Sequence, residues 1–74
     1  MKKAILYEVV IRANFNDGTW AEYEYEVCVP SDDNSMAEAV SKAESIAREL
    51  YKNNGRIIES LHPLQARRGR ELDG

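Results

Sequence analysis

Cysteine, histidine and tryptophan each occur once in these 74 residues, and proline twice. With Cys28 alone, no internal disulfide can close and no multi-cysteine metal site can form. His62 is a single imidazole beside Pro63, and no third orienting group can be named for a Cys28–His62 pair. Asp32-Asp33-Asn34 looks like a fragment of a calcium loop, but the spacing and the closing glutamate are wrong. None of the four glycines, Gly18, Gly55, Gly69 and Gly74, belongs to a phosphate-cradling loop. The expectation is a chain with no cofactor, no metal and no catalytic residues. Long apolar runs are also missing. None approaches the ~20 residues of a membrane span. The start, Met1 to Tyr7, is interrupted by Glu8 and lacks the apolar stretch of a signal peptide. A cytoplasmic protein with no membrane contact is expected. Basic charge is scarce as well: 13 acids face 10 bases, for a net charge of −3. That weakens a general nucleic-acid-binding reading, which wants a basic face. Finally, there is little length, enough for one small domain and no second core.

What is present reads as a folded domain, with 43% hydrophobic and 31% charged residues. Period-two alternation predicts a first strand from Lys3 to Asn14. Its odd positions, Ile5, Tyr7, Val9, Ile11 and Ala13, form a continuous apolar face, followed by Phe15. A second strand is predicted from Thr19 to Val29. Ala21, Tyr23, Tyr25, Val27 and Val29 face inward, and Trp20, Glu22, Glu24, Glu26 and Cys28 face outward. The turn between them decides the register. A two-residue Asp17-Gly18 turn sets Ile11 against Glu24, which drives glutamates into the core. A longer loop, with Asn16-Asp17 in a type I turn and Gly18 in a left-handed bulge, sets Phe15 against Thr19 and Ile11 against Tyr23. Apolar then meets apolar, and Arg12 meets Glu22 on the other face. The bulged turn is therefore predicted.

Pro30 ends the second strand. Ser35-Met36-Ala37-Glu38 fits a capping box with Ser35 as N-cap. The apolar stripe predicted for the helix is Met36, Val40, Ala43, Ala47 and Leu50, with Ala39, Ile46 and Tyr51 beside it. Asn53-Asn54-Gly55 closes the helix, with Gly55 as a left-handed C′ residue. A third strand follows from Arg56 to Leu61 or His62 and is ended by Pro63. Its facing is ambiguous, because Ile57 and Leu61 share a side with Glu59, and Ile58 shares one with Ser60 and His62. The fold class is α+β, a ββαβ domain over residues 1–64. Its three-stranded antiparallel sheet has the order 2-1-3, with one helix on one face. Residues 65–74 are expected to be a flexible arginine-containing tail. The charge divides accordingly: residues 1–64 carry 11 acids and seven bases, and residues 65–74 carry two and three.

One helix covers one side of a sheet. The other side is expected to carry Leu6, Glu8, Val10 and Cys28, with Trp20, Glu22, Glu24 and Glu26. An apolar centre beside an acidic edge suits docking of a protein with a basic surface. The same glutamates also discourage strand-to-strand aggregation at an exposed edge, and the two roles are compatible. Two other partners stay open. One is a second copy of the chain, through the bare faces or the sheet edges. The other is nucleic acid, through Arg67, Arg68 and Arg70 with Lys2, Lys3 and Arg12. The tail offers no aromatic stacking platform for the latter.

In size and layout the chain resembles small phage-encoded accessory proteins that block a host machine, anti-CRISPR proteins among them. The likeness spans residues 3 to 62. It rests on the Glu22-Glu24-Glu26 stripe, exposed Trp20 and the hairpin–helix–strand plan. It implies a non-enzymatic inhibitor that occupies a partner's surface, and it transfers no functional residues.

Overall fold

Two strands, a helix and a third strand follow one another: β1 (Ala4–Phe15), β2 (Trp20–Pro30), α1 (Ser35–Asn53) and β3 (Ile58–Leu72). The structure is a computed structural model and describes residues 3–72. The three strands form one antiparallel sheet in the order β2-β1-β3. This is the α+β architecture expected from the alternation and the single amphipathic helix.

The hairpin adopts the bulged turn. Phe15 N donates to Thr19 O at 2.9 Å, Gly18 N donates to Phe15 O at 3.2 Å, and Gly18 has φ +87°. A side chain at that φ is strained, which is why glycine stands there. Asp17 Oδ1 accepts from the Thr19 backbone N and hydroxyl. Those bonds hold the Asp17 carboxyl below its usual pKa, the hydroxyl contributing most. Ala13 then pairs with Ala21, Ile11 with Tyr23, Val9 with Tyr25 and Tyr7 with Val27, as the pattern requires.

Every odd position of β1 from Ile5 to Phe15 is buried against α1, with Tyr25, Val27 and Val29 of β2. Fully burying an aliphatic side chain of this kind contributes roughly 1.5–3 kcal/mol. The helix meets them differently from the predicted stripe. Its buried row is Ser35, Ala39, Ala43 and Ala47, spaced four apart on one face. Small side chains let the helix axis lie close to the sheet. Met36, Ile46 and Leu50 are consequently displaced to the flanks and stay exposed. The capping box does not form either. Asn34 is the N-cap and makes no side-chain cap bond. Ser35 is buried, and its hydroxyl lies 3.1 Å from the Tyr7 hydroxyl, so the two polar groups satisfy each other in the core. The C-terminus closes as predicted. Gly55 at φ +73° donates to Lys52 O, and Arg56 N donates to Tyr51 O, the paired bonds of a Schellman ending.

The main correction concerns β3. The strand does not end at Pro63, and residues 65–72 are not a tail: β3 runs beside β1 for its full length, from Ile58 opposite Phe15 to Leu72 opposite Ala4. Three register shifts, between Asn14 and Phe15, Val10 and Ile11, and Ile5 and Tyr7, each insert one extra residue in β3. These bulges resolve the ambiguous facing. They reset the phase, so that both Leu61 and Ala66 lie opposite core positions of β1 and pack on the core. Pro63 is tolerated because β3 is an edge strand and the proline sits at a bulge. Gly69 lies at the last bulge, where an added Cβ would stand 2.6 Å from the Leu6 carbonyl oxygen. Lys2 and residues 73–74, which figured in the tail and nucleic-acid expectations, lie outside the described residues.

Candidate protein-docking surface

The sheet face away from α1 is built from the even positions of β1 and β2. Trp20, Glu22, Glu24, Glu26 and Cys28 of β2 are all exposed, and Leu6, Glu8, Val10 and Arg12 of β1 are half-buried beside them. All seven predicted docking residues therefore share one face. Register places Val10 beside Glu24, Leu6 beside Cys28 and Arg12 beside Glu22. Arg12 leans along the strand instead of pairing with Glu22, and its guanidinium lies 4.4 Å from the Trp20 ring centroid. That stacking ties the indole to the turn end of the face, where it is still 54% exposed.

The third strand adds His62 and two groups from the expected tail, Gln65 and Arg67, to this face. His62 stands beside Arg12, Gln65 beside Val10, and Arg67 beside Glu8. Arg67 Nη2 donates to Glu8 Oε2 at 2.9 Å. Glu8 is thereby paired across the strands, and the acidic stripe reduces to the three glutamates of β2. The face is polarised: acid along β2, an apolar and paired centre on β1, and base with neutral polar groups along β3.

The other chemistry-bearing residues are dispersed. Cys28 is level with Leu6 and His62 with Arg12. Six residues of strand separate them, roughly 20 Å at the usual rise, so they form no dyad. The His62 ring lies 3.1 Å from the Ser60 hydroxyl, which accepts from Asn14 Nδ2. The arginines do not form one patch. Arg67 belongs to the open face, whereas Arg68 lies opposite the core position Tyr7 and its guanidinium reaches Glu71 at 3.4 Å. Among the described residues, no three His, Cys, Asp or Glu side chains converge as metal ligands would. No helix among them is long and apolar enough to cross a membrane.

No protein-family model, curated protein or solved structure matches this chain.

One part of the surface was not legible in the alternation. Tyr23 was expected in the core and is instead 58% exposed, packed on the Tyr25 ring at 5.0 Å between centroids. It lies on the helix side of β2, beyond the reach of the narrow alanine face of α1. Ile46 and Leu50 are exposed on α1. Between β2 and α1 runs an open groove of about 450 Å³, lined by Glu26, Val27 and Cys28 on the strand and by Ser41, Lys42, Ser45 and Ile46 on the helix. The signal for it was the Ala39-Ala43-Ala47 row. A helix that touches with alanines covers a narrower strip of sheet than one that touches with leucines.

Proposed function

We propose that this protein is a non-enzymatic binding module that blocks or modulates a protein partner through its open sheet face and acidic β2. The observation that carries the reading is the face itself. Helix α1 covers one side of a three-stranded sheet, and the other side presents Leu6, Val10 and exposed Trp20 beside Glu22, Glu24 and Glu26. An apolar centre next to a row of one charge sign suits a partner with a basic surface. In such a module Trp20 acts as the anchor, since aromatic side chains dominate binding energy. The setting proposed is that of the small phage-encoded host-machine inhibitors which the chain resembles in size and plan.

The test uses the whole chain as bait in lysate of its native host, compared with Trp20→Ala, Glu24→Arg and Val10→Asp. All three positions lie outside the core, so the fold is expected to survive each change, and a thermal melt of each variant checks this. Proteins retained by the native chain and lost with the variants support the reading. Identical retention by all three variants removes the face from consideration.

Self-association through the same face is the alternative favoured by its polarity. A two-fold axis parallel to β1 would set the acidic β2 of one copy over the β3 of the other, which carries Arg67. Sedimentation decides this: a monomer at high micromolar concentration excludes it. Nucleic-acid binding is the weaker alternative, because Arg67 and Arg68 point to opposite sides of the sheet and each already meets a glutamate. A salt-sensitive shift of RNA or DNA, abolished by changing Arg67 and Arg70, would revive it.

A further inference from the structure

The sheet has two edges, and they are not equivalent. The outer edge of β3 is broken by three bulges, and Pro63 supplies no N–H, so it offers no regular ladder. β2 is different. It pairs with β1 without a register shift from Asn14↔Trp20 to Ala4↔Pro30. The phase of its backbone follows from the bonds at its two ends. Thr19 O accepts from Phe15 N, and Ser31 N donates to Lys3 O, so odd-numbered residues turn their polar groups toward β1. Even-numbered residues turn theirs outward. Cys28 shows this directly, since its carbonyl oxygen accepts from Lys42 Nζ at 2.8 Å. Lys42 closes the edge there. The outward groups of Trp20, Glu22, Glu24 and Glu26 have no strand neighbour among the described residues.

Each side of this free edge has a distinct character. On the open-face side stand Glu22, Glu24 and Glu26. On the helix side lie Tyr23, Tyr25 and Val27, then the groove of about 450 Å³ whose far wall includes Ile46. Leu50 continues that wall one turn further along α1. A strand added here would have its alternate side chains sorted by these two environments. Residues opposite the glutamates would meet three carboxylates. Tyr25 and Val27 are themselves buried, so residues on that side would settle on the exposed Tyr23 ring and on the groove wall at Ile46.

We infer that the outer edge of β2 receives an extended segment of a partner protein, in which basic and apolar residues alternate, as a fourth strand of the sheet. The inference rests on the reading of acidic β2 as a docking element and specifies how that element is used. Charge chooses the occupant. A second copy pairing β2 with β2 would set two rows of glutamates side by side, and like charges directly opposite are destabilising. Pairing β2 with the β3 edge of a second copy meets the three bulges. A basic–apolar segment from another protein meets neither obstacle. The glutamates then have one combined effect: they deter self-pairing and admit a basic strand.

The test is fluorescence anisotropy with the full chain and a labelled eight-residue peptide alternating lysine and valine. Three control peptides accompany it. One has the same composition with the lysines and valines in separate blocks. The other two carry N-methyl groups on alternate residues, one set in each phase. The alternating peptide is expected to bind, and the block peptide is expected to bind at least tenfold more weakly. One N-methylated phase should lose binding and the other retain it, because only one phase turns its N–H groups toward β2. Glu24→Lys should weaken binding about tenfold, through loss of favourable charge pairs and gain of repulsion. Ile46→Ser, at an exposed position, should also weaken it. Equal binding of the block peptide, or equal binding of both N-methylated phases, overturns the inference. So does failure of the alternating peptide to bind. Val10→Asp separates the two levels. Capture of the native partner by this variant reads the open face, whereas the peptides read the edge of β2. If the peptide fails while Val10→Asp still abolishes capture of the native partner, the edge inference falls and the docking face stands.

Discussion

Gly69→Ala gives opposite signs for the two conceivable states of residues 65–72. In a mobile tail, alanine for glycine is neutral, or stabilises by about 0.4–1 kcal/mol through the unfolded chain. In β3 the result is different. The added Cβ would lie 2.6 Å from the Leu6 carbonyl oxygen and 3.5 Å from its carbon. Both atoms are backbone of the central strand, so no side chain can swing aside. Relief requires β3 to move away from β1 at its last bulge. Overpacking of this kind costs about 1–3 kcal/mol. For a domain of this size each kcal/mol lowers the melting temperature by roughly 4–8 °C. Urea unfolding followed by circular dichroism gives the global value. Amide hydrogen exchange at Arg67 to Leu72 reports the alternative outcome, in which only the strand end detaches. A drop in either global stability or local protection is expected. Unchanged or raised stability together with unchanged protection would show that the segment does not pair with β1.

Three further outcomes follow from the packing. Ala43→Leu should destabilise by about 1–3 kcal/mol in the same urea assay, because Ala43 is fully buried in the alanine row that faces the sheet; a neutral result would mean that the helix stands off further than the structure has it. Tyr25 has its hydroxyl buried without a partner among the described residues, and burial, reinforced by the nearby Tyr51, raises its pKa well above the ordinary value of about 10. A raised pKa contributes stability that is complete below the unfolded value and is lost as pH rises beyond it. Melting temperature should therefore fall above about pH 10, and Tyr25→Phe should flatten that fall. Near neutral pH the same variant should be neutral or more stable, since it removes an unpaired buried hydroxyl; a clear loss would reveal a missed partner. Ser35→Ala and Tyr7→Phe should be non-additive in a double-mutant cycle, because each removes the same 3.1 Å hydrogen bond. Additivity would return Ser35 to a capping role.

The hairpin was legible from its residues alone because its determinants are local. Period-two alternation selects the buried face of β1, and Asn16-Asp17-Gly18 selects the loop. Together they leave one register that keeps glutamates out of the core. The end of α1 at Asn54-Gly55 is equally local, since it depends on one left-handed residue. The 2-1-3 order followed from connection rules applied to those elements. The side of the sheet on which Leu6, Glu8, Val10, Trp20 and the β2 glutamates lie follows for the same reason: once one face of a strand is buried, the other is assigned. Tertiary structure alone decided the rest. A strand with three bulges has no constant period, so Leu61 and Ala66 do not read as one face until β1 supplies a template. Pro63 and the arginines then resemble a terminator and a tail, although both lie within β3. The pairing of Arg67 with Glu8 depends on that placement and changes the charge of the open face. The choice of Ala39, Ala43 and Ala47 over Met36, Ile46 and Leu50 as the contact row also required the sheet. Hydrophobicity ranks the larger side chains first. Closeness of approach to β1 favours the smaller ones, and it leaves the groove beside β2 uncovered.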